Sequence, residues 1–435
     1  MHSSDLMILA LLLGCMGAYV PVYLCLFFTS VLGLLFFSVL QPTQSIIFLT
    51  QAFFMSMDNF TLVVVLFFVL CGNIMTQGSI VEKLIKVTNA LVSWLPGGLA
   101  MAGVLACGLF AAISGSTVAT VVALGGFMIP AMLEHGYPEK FTIGIMTTSP
   151  NLGVIIPPSI SMILYCMLTN VSLEGLFATG FIPGALIMLG VCTYTFFYFR
   201  KKTDITREPL PNIRQVFLAL KEGFWALMLP VIIFGGIFSG VFTANEAAVV
   251  ACVYAFIVEL FIHRSVRFAD VKTIVVNSAI TSSSLLIIVA GATCFGRLLT
   301  IQNIPPRITE TVIENIQSPV VFLLVMNALL LVVGMFMDII SATMILGPVF
   351  IPMLGAFGID PMHFGLIMTV NLAIGYCTPP IGVSLYITGS IANRNLLYVS
   401  RAVAPFIAIQ IGVLFVLTYM PNLVLWLPRV MGYVK

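Results

Sequence analysis

Phe110-Ala-Ala-Ile-Ser-Gly-Ser-Thr-Val-Ala-Thr120 lies between two apolar runs, each too short to be an ordinary membrane span with a proper loop. Its small residues and hydroxyls stand where a membrane protein should show only hydrocarbon. A second interruption follows at Gly153-Val-Ile-Ile-Pro-Pro-Ser159. Both kinds recur in the second half, around Asp338 to Thr343 and at Gly375-Tyr-Cys-Thr-Pro-Pro380. One offset of 222 residues carries Gly125, Pro130, Gly136, Gly153, Pro157 and Pro158 onto Gly347, Pro352, Gly358, Gly375, Pro379 and Pro380. The same shift carries Ile145-Met-Thr147 onto Ile367-Met-Thr369. Paired Gly/Pro-interrupted apolar segments in two halves point to the binding site of a secondary transporter.

The bulk composition agrees. The chain has 435 residues, 60% hydrophobic and 8% charged. A soluble domain is about a quarter charged, so this surface faces lipid. A net charge of +2 is too small to suggest nucleic acid. The first five residues hold no Lys or Arg, and the apolar run after them outlasts a signal peptide with no small-x-small cleavage site. That reads as a retained first span. The nine cysteines are scattered without a Cys-x-x-Cys pair. They read as small hydrophobes, with no disulfide, metal centre or organic cofactor.

A span needs about twenty apolar residues. Leu6 to Val39 is one tilted span, or a span plus a short segment broken at Pro21. Gln44 to Met57 is shorter and suits the interface. Thr61 to Gly78 spans, and Glu82 to Lys86 reads as a polar turn. The expected organisation is scaffold helices over 1–95, then a hairpin, a broken helix and a following span over 96–199. A basic linker covers 200–222 and second scaffold helices cover 223–318. The second hairpin and broken helix occupy 319–400, and a last helix occupies 401–435. Thr243-Ala-Asn-Glu246 looks like a capping turn.

Charge tests this layout. If each pair of arms returns to the side it came from, Lys83, Lys86, Lys140, the linker, Arg264, Arg267, Lys272, Arg394 and Arg401 share one side. That side then holds 14 of the 18 Lys and Arg. Arg297, Arg307, Arg429 and Lys435 fall opposite. The positive-inside rule makes the rich side cytoplasmic. The two hairpins then open to opposite sides, and the sequence repeat becomes an inverted repeat.

A break inside the membrane frees backbone groups that must be buried in protein or line a wet cavity. Carbonyls at half-helix C-termini suit a small hard cation, and N-termini suit an anion. Ser114, Ser116 and Thr117 add hydroxyl oxygens at the first tip, and Ser341 and Thr343 add them in the second half. Gly153 and Gly375 admit close backbone approach. Pro157 and Pro158 stop the helix and leave upstream carbonyls unbonded; Thr378 and Pro379 repeat the break. Small residues also serve close helix packing, but four interruptions at one offset favour an ion site. Asp338 is the only acidic residue between Glu314 and Asp360. It is a functional candidate as an intramembrane carboxylate, or a cap on the second arm. Arg297 could meet an anion, although snorkelling to the interface competes. His2, His135, His263 and His363 lie at span ends or in turns and read as solvated. Ile113-Ser-Gly-Ser116 faintly suggests a buried protease nucleophile. That chemistry needs a base at membrane depth, and no His is so placed.

Gly108-Leu-Phe-Ala-Ala-Ile-Ser-Gly-Ser-Thr117, Gly136-Tyr137, Asn151-Leu-Gly-x-x-Ile-Pro-Pro-Ser159, Leu176-Phe177 and Pro183-Gly184 resemble the large membrane subunit of the tripartite ATP-independent periplasmic (TRAP) transporters. Gly240-x-Phe-Thr243, Glu246-Ala-Ala248, Asp338 and Thr378-Pro-Pro-x-Gly382 continue the resemblance, which runs from about Leu70 to Pro405. It implies an all-α polytopic membrane protein of the bacterial inner membrane, an inverted repeat with two re-entrant hairpins and two broken transmembrane helices, of the elevator type. It implies sodium-coupled import of a small organic anion, such as a carboxylate, sialic acid or sulfonate. It also implies a small four-helix membrane subunit and a periplasmic substrate-binding protein as partners. Sodium-binding roles would transfer to Ser114, Gly115, Ser116 and Thr117, to Gly153, Val154 and Pro157, to Asp338, Ser341 and Thr343, and to Gly375, Thr378 and Pro379. Ser159, Asn151, Arg297 and Ser384 are candidates for the anion. A stand-alone sodium-coupled anion carrier with the same repeat is the nearest rival.

The charge asymmetry makes a test of sidedness. A cysteine at Thr203 is expected to react only with reagents that reach the cytoplasm, and one at Asn315 only from outside. The reverse pattern would overturn the topology.

Overall fold

The helices follow the apolar runs, and their ends follow Pro, Gly and the capping residues. The computed structural model describes residues 3–18, 20–37, 41–201 and 209–434, and its regular elements are all helical. His2, Val39, Lys202, Thr203, Arg207 and Lys435 lie outside the described residues. The first apolar run is two helices, Ser3–Gly17 and Val22–Phe37, parted at Pro21. Proline lacks an amide hydrogen and disfavours a helical residue before it. The next helix, Pro42–Met57, meets Thr61–Gln77 at a bend of 53°. Thr243 and Glu246 cap each other reciprocally, with Glu246 N donating to Thr243 Oγ1 at 3.3 Å and Thr243 N to the Glu246 carboxylate at 2.8 Å.

Glu82 to Lys86 is not a turn. It lies inside an amphipathic helix, Ile80–Val92, which buries Ile80, Val81, Leu84, Ile85, Val87 and Thr88. Glu82 and Lys86 stand on its exposed face as an i,i+4 ion pair at 2.9 Å. The polar residues mark one face of a helix, which a search for polar stretches misreads as a connection.

The first hairpin has arms Gly98–Ser114 and Thr117–Glu134, the second having a π-helical turn at Val121–Gly125. The second hairpin has arms Pro319–Phe336 and Ile339–Phe357. Each is followed by a broken helix. The first runs Glu139–Ile155 and resumes at Ile160–Thr169; the second runs Pro361–Gly375 and resumes at Val383–Ala392. Both breaks hold a cis peptide, Pro157-Pro158 and Pro379-Pro380, at the sequence offset.

The helix Leu396–Tyr419 serves as a ruler. Its 24 residues rise about 36 Å. Near its start the Tyr398 hydroxyl donates to Glu139, where the first broken helix begins. Near its end Leu417 O pairs with His363, where the second broken helix begins. The two broken helices therefore run in opposite directions. Between those ends Gln410 bonds to Asn151 and to Thr148 O, beside the first break, and Asn151 accepts from Cys377 of the second. Both breaks sit at one level inside the protein.

The hairpins obey the same inversion. The base of the first packs at the Tyr398 end, where Tyr137 meets Phe199 with ring centroids 5.0 Å apart. The base of the second lies at the other end, where Phe322 stacks on Phe357 at 4.2 Å and Val320 O faces Tyr419. Among the described residues nine helices are long and apolar enough to cross a membrane, three hairpin arms included. Position overrides length for those arms, because each tip stops at a break.

The second tip is held by contact of backbone on backbone. A Cβ on Gly375 would lie 2.6 Å from the Gly334 Cα, which belongs to the hairpin's first arm. Gly375→Ala is therefore expected to lower the melting temperature of the detergent-solubilised protein, by about 1–3 kcal/mol of overpacking. Gly412→Ala, where nothing lies within 4 Å, is expected to leave it unchanged or raise it. Equal melting temperatures would show that the crossing yields without strain.

Candidate functional site

The four interruptions converge. Gly115, Ser116, Thr117 and Val118 of the first tip, Val154 of the first break, Asp338, Ile339 and Ile340 of the second tip and Tyr376 of the second break line one cavity of about 80 Å³. Ile160 and Ser161 complete it. Of the sodium candidates, Gly115, Ser116, Thr117, Val154 and Asp338 line it, whereas Ser114, Gly153, Pro157, Ser341, Thr343, Gly375, Thr378 and Pro379 do not.

The two tips share a side-chain cap on the second arm but end their first arms differently, at left-handed Gly115 and at extended Met337. Gly115 takes a left-handed conformation, φ 60°, and ends the first arm. Ser116 then caps the second arm, its Oγ accepting from Ala119 N at 3.4 Å. In the second hairpin Asp338 occupies the matching place, and its Oδ1 accepts from Ser341 N at 2.9 Å. Asp338 is thus a cap that also faces the cavity. The capping alternative is met, and the carboxylate's place in the lining leaves it within reach of a bound group.

Gly153 lets the first tip reach the break. A Cβ there would lie 2.7 Å from Ser116 O and 2.8 Å from Thr120 Oγ1. Thr120 ties the tip together, donating to Ser116 O at 2.8 Å and pairing with Ser114 Oγ at 3.2 Å. Thr343 and Thr378 spend their hydroxyl hydrogens on the carbonyls of Ile339 and Ile374, both at 2.7 Å. Their lone pairs stay available to accept. Thr117 Oγ1 and Ser341 Oγ are buried with no hydrogen-bond partner in the protein, and of the two only Thr117 lines the cavity. An unpaired buried hydroxyl costs about 1–3 kcal/mol, so an oxygen so placed suits a ligand.

Other predicted residues fall differently. Asn151 is buried and its amide is engaged by Gln410 and Cys377. Ser159 is the buried cap of the resumed helix, with its Oγ 3.0 Å from Ser161 Oγ. Arg297 is exposed on the helix Phe268–Ile301 and does not line the cavity. The histidines depart from the solvated reading. His363 is buried, with Nε2 2.9 Å from Leu417 O, and the His263 side chain is nearly buried beside Glu259. His135 alone of the described three is exposed. No histidine accompanies Ser114 or Ser116, whose hydrogen bonds go to Thr120 and Ala119.

Sequence reasoning missed Thr120, Tyr376, Ser161 and the supporting network. Gln410 and Asn327 are lone amides in apolar spans, and that was the available signal. Asn371 Nδ2 donates to Asn327 Oδ1 at 2.7 Å, and Asn327 Nδ2 to Thr418 Oγ1 at 3.0 Å. These bonds hold the second broken helix between the second hairpin and the ruler helix.

The cavity's lining contains no Lys, Arg or His. Its field comes from the Asp338 carboxylate and from backbone. Helices begin at Thr117, Ile160, Ile339 and Val383, and others end at Ser114, Ile155, Phe336 and Gly375. Positive N-termini and negative C-termini therefore meet at one place, which suits an anion and a cation held side by side.

Residues 7–423 match the family model of the tripartite ATP-independent periplasmic transporter, DctM component. The chain belongs to this family. It is 35% identical over 443 residues to the C4-dicarboxylate TRAP transporter large permease protein of Rhodobacter capsulatus, covering 99% of this chain and all of the relative. It is 40% identical over 379 residues to the C4-dicarboxylate TRAP large permease of Pseudomonas aeruginosa, covering 87% of this chain and 88% of that one. It is 33% identical to the sialic acid TRAP large permease of Vibrio cholerae, covering 97% of this chain and 98% of that one. Among solved structures, the YdaH transporter of Alcanivorax borkumensis shares the fold, with a TM-score of 0.60 at 17% identity over 92% of this chain and 96% of the other. The protein is a TRAP large permease, a multi-pass membrane transporter and not an enzyme.

Asp338 separates geometry from charge. Asn also caps helices well, whereas Ala removes about 1 kcal/mol of capping. Asp338→Asn is expected to keep the melting temperature, and Asp338→Ala to lower it. A loss of stability in both would show that the charge itself holds the tip.

Proposed function

We propose that this TRAP large permease carries out sodium-driven import of a small organic anion delivered by a periplasmic binding protein. The observation that carries the reading is the single cavity where both tips and both breaks meet, with Asp338 its only charged side chain. An anion beside Asp338 needs a cation between them. Backbone carbonyls, Thr117 Oγ1 and Ser341 Oγ are oxygen donors of the kind a hard cation takes. The anion class is drawn from relatives whose names specify C4-dicarboxylate, sialic acid and, at 37% identity, isethionate.

The hairpins and broken helices form the moving block of an elevator in this reading, and the helices of 1–95 and 223–318 belong to the scaffold. The end holding Lys140, Arg394 and the linker is cytoplasmic by its charge. A small membrane subunit widens the scaffold. Capture at high affinity falls to the soluble binding protein, because no arginine pair grips the anion in the cavity.

Reconstitution tests this. Uptake under an inward sodium gradient is expected only when the small subunit and the loaded binding protein accompany this chain. Thr117→Val and Ser341→Ala are each expected to raise the sodium concentration for half-maximal uptake about tenfold, one lost ligand's worth of binding. Concentrative uptake by the chain alone would favour a stand-alone carrier. Uptake that ignores sodium would remove the ion assignment.

A further inference from the structure

Glu259 is a carboxylate with no exposed surface, absent from the cavity's lining and outside the roles described above. It sits in a π-helical turn, Val258–Ile262, that ends the helix beginning at Ala244. An ionisable group buried in a membrane protein is expensive unless it is well paired. Here the partners come from another element. Ser79 N donates to Oε1 at 3.0 Å and to Oε2 at 3.2 Å, and Ile80 N donates to Oε1 at 3.0 Å. The Ser79 hydroxyl lies 3.4 Å from Oε2, and the Ser265 hydroxyl donates to the same oxygen. His263 Nδ1 is 3.0 Å from Ser79 Oγ and 3.8 Å from Glu259. Hydroxyl and carboxylate meet the same ring nitrogen, so this is not the relay of a serine hydrolase, in which the two nitrogens face different partners.

These bonds close the N-terminus of the amphipathic helix Ile80–Val92. Its own preceding residue, Ser79, makes no side-chain cap. The carboxylate does that work from a scaffold helix 180 residues away, in charge-assisted bonds at the positive end of the helix. The amphipathic helix is also pinned along its side, where Val87 packs into the space at Gly223. Its far end has no slack. Leu95 N donates to Val92 O and Gly98 N to Leu95 O, at 3.0 and 2.8 Å, and Gly97 is left-handed. The first hairpin begins directly from that turn.

We propose that Glu259 is a positioning residue for transport: it ties the amphipathic helix, the last of the first scaffold group, to the second scaffold group, and that helix sets where the base of the first hairpin stands. The proposal rests on the reading of the hairpin block as the moving part. Glu259→Gln keeps shape and one acceptor oxygen but removes the charge. Gly78→Ala is a second, steric variant, because its Cβ would collide with the Glu259 carboxyl group.

The test uses the complete three-component system in proteoliposomes. Glu259→Gln is expected to slow initial uptake about tenfold, the loss of one charged hydrogen bond. Half-saturating sodium and binding-protein concentrations should stay unchanged, because the cavity is untouched. Amide exchange at Ser79 to Leu84 should quicken, Glu259→Asp should recover part of the rate, and Gly78→Ala should resemble Glu259→Gln. Faster exchange with an unchanged rate would overturn the proposal. So would a rate that falls only in step with melting temperature and yield. A cysteine at Val118, probed with and without sodium in the otherwise unchanged protein, judges the moving block separately. Constant reactivity there sinks that reading, whereas exchange and rate judge the anchor itself.

Discussion

A helix interrupted inside hydrocarbon leaves carbonyls and amide hydrogens that lipid cannot satisfy. The rest of this structure answers that constraint. Four interruptions are made, and each is placed against another so that protein surrounds it. The tip of each hairpin lies on its own repeat's break, through Gly153 in one half and Gly375 in the other. Side-chain caps at Ser116, Ser159 and Asp338 supply acceptors to helices that would otherwise begin unsatisfied. Both tips and both breaks border one cavity, where Thr117 Oγ1 is left without a partner in the protein.

The inverted arrangement follows from the same economy of partners. Two copies of a hairpin and a broken helix, entering from opposite ends, bring helix starts and helix ends to one level. Neither copy could close such a site alone. The ruler helix Leu396–Tyr419 supports both, through Gln410 beside the first break and Leu417 and Thr418 beside the second broken helix. Amide and hydroxyl bonds of this kind strengthen at low dielectric, and here they tie the second broken helix to both of its neighbours.

Local pattern reading failed where a side chain's surroundings came from distant sequence. Glu82 and Lys86 look like a turn in one dimension and prove to be the wet face of a helix whose other face is buried. His363 follows a helix start and looks solvated, yet the ruler helix covers it. Arg297 has the right charge for an anion and the wrong direction, since the long helix turns it outward. Glu259 is an acidic residue in an apolar helix, but its amide donors belong to Ser79 and Ile80, which no local pattern shows.

The spacing of glycines and prolines by itself determined that the chain repeats and where its helices break. Those features are covalent and local: proline removes a donor and glycine removes a side chain wherever they stand. The charge pattern determined that the two copies are inverted, because basic residues resist crossing the bilayer. Only the tertiary structure decided which oxygens remain free. Thr117 and Ser341 are unpartnered while Ser114, Thr343 and Thr378 are engaged. All five are hydroxyls near helix ends, alike in sequence. The difference lies in rotamer and neighbour, which are settled only when the two halves pack.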